Sequence, residues 1–76
     1  MKVTVYGPGC ARCTQTAQIV KDVLETAGVA FTLEKVSDYA EIAKAGIMAT
    51  PGVAIDGRVV STGKIPTELE IKGWLG

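Results

Sequence analysis

Hydrophobic and polar positions alternate from the start of the chain, where Val3 and Val5 sit between Lys2, Thr4 and Tyr6, and this period of two predicts a strand over residues 2–6. The period then lengthens. Cys13, Ala17, Val20, Leu24 and Ala27 fall on one stripe at helical spacing, with Thr14, Gln15, Gln18, Lys21, Asp22 and Glu25 opposite, so residues 11–27 are expected to form an amphipathic helix. Gly28 supplies its C′ position. Residues 29–36 are rich in β-branched and aromatic side chains and predict a second strand. It should run parallel to the first, because a whole helix joins the two, and such crossovers are right-handed.

Asp38 and Glu41 have the spacing of a capping box, and Tyr39, Ile42 and Ala43 make a small apolar face, which predicts a short helix over residues 38–45 ended by Gly46. Ile47-Met48-Ala49-Thr50-Pro51-Gly52 is a connection. After it, Val53-Ala54-Ile55 and Arg58-Val59-Val60-Ser61 flank Asp56-Gly57, a strong local signal for a hairpin. Residues 61–64 read as loop, and Pro66 suits a first helical turn. Thr67 and Glu70 offer a second capping box, and Leu69, Trp74 and Leu75 are expected to dock the last helix on the sheet. The predicted order is βαβαββα.

Composition narrows the setting. The chain has 76 residues, 47% of them hydrophobic and 21% charged, which fits one domain with one modest core over residues 1–76. Eight basic and eight acidic side chains give a formal net charge of zero, without a lysine or arginine run, so nucleic acid and membrane surfaces are poor candidate partners. Met1-Lys2 leads straight into strand residues rather than into the apolar region of a signal peptide, and a cytoplasmic location is expected. A monomer is expected, without a cofactor.

Both cysteines lie in Tyr6-Gly7-Pro8-Gly9-Cys10-Ala11-Arg12-Cys13, where the first strand turns into the first helix. Three residues of α-helix advance the chain about 4.5 Å and leave the side chains roughly 60° apart. A Cα separation of about 5 Å follows, inside the range a disulfide accepts. Cys10 falls where unpaired N–H groups and the helix dipole favour an anion, a setting in which thiol pKa values of about 3.5 to 7.5 are typical. Cys13 lies on the apolar stripe and should face inward. One accessible sulfur with another behind it is what thiol–disulfide exchange requires: Cys10 would attack and Cys13 would resolve the mixed disulfide.

On these residues the chain resembles the thioredoxin superfamily over essentially its whole length, and it is similar to small glutaredoxin-like redox proteins that carry Gly-Pro-Gly-Cys-x-x-Cys. The match rests on Cys10-Ala11-Arg12-Cys13 after the first strand and on Thr50-Pro51 before the hairpin. The resemblance implies a thioredoxin-like α/β fold, with a four-stranded mixed sheet and helices on both faces. It also implies a cis Thr50-Pro51 bond facing the cysteines, with the Thr50 backbone pairing to a substrate chain, so that the activity would be that of a thiol–disulfide oxidoreductase acting on protein disulfides. Gly9 stands where thioredoxins place a tryptophan, which leaves Tyr6 as the nearest aromatic, either lining the site or merely ending the strand. Ser61-Thr62 stands where glutaredoxins carry the Gly-Gly pair that helps hold glutathione. A thioredoxin-reductase-type electron donor is therefore expected in place of glutathione.

Thr50, Pro51, Tyr6 and Arg12 are the candidate substrate-binding residues beside the catalytic pair Cys10 and Cys13. Arg12 would either raise the thiolate fraction of Cys10 or serve only as a solvated charge, and Lys35 and Lys64 read as solvated charges. Glu34 and Asp38 are the candidates for the acid that thioredoxins bury behind the second cysteine. A structural zinc site wants four ligands, and the chain offers two thiols and no histidine. The rival readings are a soft-metal, copper-type carrier using the same C-x-x-C and a non-catalytic interaction module. A carrier of the ferredoxin-like type ends βαβ, whereas this chain ends in a hairpin and a helix.

Overall fold

The computed structural model describes residues 1–9 and 11–75. Its elements are β1 (Lys2–Tyr6), α1 (Ala11–Thr26), β2 (Thr32–Val36), α2 (Tyr39–Lys44), β3 (Gly52–Ile55), β4 (Arg58–Thr62) and α3 (Glu68–Trp74). The strands form one mixed sheet in the order β2-β1-β3-β4, with β1 parallel to β2 and the other pairs antiparallel. The register opposes Val3 to Ile55 and Val5 to Val53, so these four side chains share a face. Val20, Val23 and Leu24 of α1 and Ile71 of α3 close over that face, and Ile19, Phe31, Leu33, Trp74 and Leu75 pack around the cluster. On the other face Thr4 and Ala54 are buried, and Ile47 lies so close to Gly52 that a Cβ there would come within 2.8 Å of it.

Local chemistry explains where each element stops. Gly28 (φ 72°) ends α1 by donating to the Glu25 carbonyl at 3.1 Å while Val29 N–H donates to Leu24 O at 3.1 Å, the paired bonds of a Schellman motif. Asp38 caps α2 by accepting from Ala40 N–H at 2.8 Å. Asp56 (φ 50°) and Gly57 (φ 85°) both adopt the left-handed backbone of a type I′ turn. Asp56 also ties the hairpin to β1, because its Oδ1 accepts from Lys2 N–H and its own N–H donates to Lys2 O, both at 2.8 Å. A bulge between Val53 and Ala54 shifts the β3–β4 register. Thr67 and Glu70 form the expected capping box at the start of α3.

Five expectations need correction. The second strand begins at Thr32 instead of Val29, because its partner β1 begins at Lys2, and only Met1 O is left to accept from Thr32 N–H. Ala27 lies beyond the last turn of α1 and is exposed, while Thr16 and Val23 join the buried stripe. Tyr39 and Ala43 are exposed, and α2 buries Ile42 alone, since a helix this short presents little more than one inward position. Pro66 precedes the Thr67 cap, outside the helix. With α3 set from Glu68, Ile71, Trp74 and Leu75 share the inward side at i, i+3 and i+4, and Leu69 is left 81% exposed.

Candidate active site

The parallel ladder runs one residue past β1, with Gly7 N–H donating to Val36 O at 2.9 Å, and this fixes the backbone on which the Cys10–Cys13 segment is mounted. Cys10 itself lies outside the described residues. Cys13, in the first turn of α1, is only 6% exposed and faces inward as its place on the stripe predicts. Its side chain rests on the α-carbon of Gly7: a methyl group added there would overlap Cys13 Sγ and come within 2.9 Å of Cys13 Cβ. The same methyl would lie 4.0 Å from Thr50 Cβ. The end of β1, the first turn of α1 and the residue before Pro51 thus converge on one point.

The Thr50–Pro51 bond is cis, and Pro51 is fully buried at the head of β3. Pro51 O accepts from Gly63 N–H at 2.9 Å, and Gly63 O in turn accepts from Arg12 Nη2 at 3.4 Å. Arg12 therefore reaches across to the loop after β4, while its own carbonyl accepts from the buried Thr16 hydroxyl at 2.8 Å. Tyr6 is half-buried and opposes Gly52 across the β1–β3 ladder, which puts it on the sheet face away from Val5 and α1. It does not share the surroundings of Cys13.

Beside Cys13 lies a pocket of about 180 Å³, lined by Val5, Gly7, Gly9, Cys13, Thr14, Lys35 and Ser37. Among the described residues, its only charged lining residue is Lys35. Neither Glu34 nor Asp38 fills the place of a buried acid: both are exposed, Glu34 pairing with Lys2 at 3.3 Å and Asp38 capping α2. Lys64, read as a solvated charge, is instead ion-paired with Glu70. Gly7, Lys35 and Gly63 are the positions that the sequence pattern did not single out for the site. Gly7 was legible only as part of a turn, whereas what it does is leave room for a side chain six residues away.

A sheet of this order, with a cis-proline set opposite a cysteine in the first turn of the following helix, defines a thioredoxin-like redox fold. The thioredoxin domain family matches residues 1–76, and the chain belongs to that family. It is 43% identical over 70 residues to a thioredoxin of Methanocaldococcus jannaschii, covering 92% of this chain and 80% of that protein. Over 72 residues it is 33% identical to a thioredoxin of Methanothermobacter thermautotrophicus, covering 95% of this chain and 94% of the other. The protein is a thiol–disulfide oxidoreductase. Among the described residues, no helix is long and apolar enough to cross a membrane.

Proposed function

We propose that the protein cycles between a Cys10–Cys13 dithiol and the corresponding disulfide, reducing disulfides in other proteins. The Cys10 thiolate attacks one sulfur of the target disulfide, forming a mixed disulfide and releasing the first target thiolate, which takes up a proton. The Cys13 thiolate then attacks Cys10 Sγ, the Cys10–Cys13 bond forms, and the second target thiol leaves. The target gains two electrons and two protons, and a dithiol donor of the thioredoxin-reductase type restores the starting state. Run in reverse, the same steps oxidise a dithiol.

The observation that carries this reading is the buried seat of Cys13 against Gly7, with Thr50 and the cis-proline beside it. A shielded second sulfur is held ready to release a bound target, and the Thr50 backbone offers the edge along which an extended target chain would pair. Pro51 holds that edge in place and Arg12 secures the neighbouring loop through Gly63, whereas Tyr6 lies on the far face of the sheet. The donor preference is supported by Ser61-Thr62, where Ser61 is buried in β4 and offers no open glycine backbone to glutathione. The function fits a cytoplasmic electron-transfer protein acting as a monomeric single domain.

Cysteine substitutions test the scheme. Cys10→Ser should abolish insulin reduction, and Cys13→Ser should accumulate a covalent complex with the target, visible on a non-reducing gel. Unchanged insulin reduction by both variants would refute the assignment. Offering a thioredoxin reductase and glutathione separately as donors tests the second half: turnover with glutathione alone would overturn the donor preference.

A further inference from the structure

Lys35 stands at the C-terminal end of β2, in register with Val5, and therefore on the sheet face that α1 covers. It lines the pocket beside Cys13 together with the hydroxyl-bearing Thr14 and Ser37. The same Lys35 and Thr14 also line a second hollow of about 190 Å³, which continues along α1 past Gln18 to Lys21 and Leu33. The two spaces form one groove between α1 and β2 that starts at the inner cysteine. Lys21 lies eight residues beyond Cys13 on the helix, about 12 Å along its axis.

Among the described residues the charge in this groove has one sign. Its described lining residues include two lysines and no carboxylate, although the chain as a whole is neutral. Of the neighbouring acids, Glu34 points to the opposite face and pairs with Lys2, Asp38 caps α2, and Asp22 accepts at 2.8 Å from Nε2 of Gln18 on the groove wall without lining the groove itself. Among the described residues Lys21 and Lys35 make no ion pair, whereas Lys2, Lys44, Lys64 and Lys72 each have one. Two uncompensated cations beside a reactive centre in a neutral protein form a local site for an anion.

We propose that this groove is a specificity subsite for acidic side chains, so that the protein prefers disulfides in which an aspartate or glutamate lies within a few residues of the attacked cysteine. This rests on the exchange reaction assigned above. Thr50 leads into β3 and the lysine groove borders β2, the two strands that flank β1 on opposite sides. A target chain paired along Thr50 and crossing the cysteines enters the groove on the far side. At about 3.3 Å per extended residue, the ~12 Å from the inner cysteine to Lys21 spans three to four residues. Lys35 reads the nearer acidic position and Lys21 the farther one.

The test is single-turnover reduction, by the pre-reduced full chain, of matched peptide disulfides carrying Glu, Gln or Lys two residues from the reacting cysteine. Each reaction is quenched in acid and resolved by chromatography. At low ionic strength the Glu peptide should react about three- to fivefold faster than the Gln peptide at limiting concentration, the range expected for one partly exposed ion pair. The preference should shrink towards unity in 1 M salt, where the screening length is about 3 Å. Lys35→Glu should reverse the order of the Glu and Lys peptides, Lys35→Arg should retain it, and Lys44→Gln on α2 should leave it unchanged.

Equal rates for the three peptides, with reduction still proceeding, would overturn the subsite and leave the oxidoreductase reading standing. Failure to reduce any of them would overturn both. Charge dependence seen with oxidised glutathione and absent with the peptides would also overturn the proposal, because the groove would then serve a small-molecule disulfide.

Discussion

Replacing Gly7 by alanine puts the packing at the inner cysteine to a direct test. The added methyl would overlap Cys13 Sγ and stand 2.9 Å from Cys13 Cβ, where ordinary contact begins at 3.4 Å, so about 0.5 Å must be found against Cβ and more than that against Sγ. Neither partner yields easily. Gly7 is held by its N–H bond to Val36 O, and Cys13 belongs to a helix whose inner face is locked in the core by Val20 and Leu24, both fully buried. Forcing a methyl group into such a place costs about 1–3 kcal/mol. For a chain this short, a urea m-value near 1 kcal/mol/M converts that loss into a fall of roughly 1–3 M in the unfolding midpoint.

The same displacement acts on chemistry. A misplacement of about 1 Å can slow an aligned reaction ~100-fold, so a sulfur moved by at least half that distance should slow the resolving attack of Cys13 by about tenfold or more. Quenched-flow alkylation would show this as mixed disulfide persisting in the variant after it has decayed in the parent. A Gly7→Ala, Cys13→Ala double variant supplies the thermodynamic check, since removing the sulfur should relieve part of the cost and give a coupling energy well away from zero. Gly7→Ala with the parent's urea midpoint and resolution rate would refute the packing argument.

Further outcomes follow from particular contacts. Ile71→Ala should lose about 2–5 kcal/mol, whereas Leu69→Ala on the same helix, at a position 81% exposed, should change stability by less than about 0.5 kcal/mol; urea denaturation separates them. Asp56→Ala should lose about 1–2 kcal/mol by the same measurement, because it removes the acceptor for Lys2 N–H from a left-handed turn position, while Asp56→Asn should retain most of the stability. Ser61 Oγ is buried without a hydrogen-bond partner, so Ser61→Ala should raise the thermal midpoint, gaining about 1 kcal/mol. Lys64 and then the Thr67 N–H hold the Glu70 carboxylate below its ordinary pKa of 4.5, so its contribution is present above that pH and lost as the pH falls below it. Glu70→Gln should remove that part of the acid sensitivity, as read from urea midpoints taken between pH 3 and pH 7.

The fold was legible in the sequence wherever one local signal decided the outcome. The alternation of Val3 and Val5, the stripe through Val20 and Leu24, the Asp56-Gly57 turn and the Thr67–Glu70 box each act within a few residues, and each appears where the pattern puts it. Expectations failed where a distant partner decided. The start of β2 is set by the start of β1, and the inward face of α3 is set by its contact with α1, which selects Ile71 over Leu69. The site follows the same division. Cys13 and Pro51 announce themselves by residue type, but the space that Gly7 leaves for a sulfur and the way β2 turns Lys35 towards the groove arise only when separate elements meet.

Gly63 gives the rim of this protein an uneven tolerance to change. Its N–H and carbonyl connect the proline turn to the first turn of α1, its backbone is left-handed at φ 74°, and a side chain there would press to within 3.2 Å of Ala49 Cβ. Met48, 98% exposed, carries none of those duties. A lineage adapting to new targets can therefore rewrite the lettering at 48 freely, while position 63 acts as the rivet that keeps the redox centre in one shape through each revision.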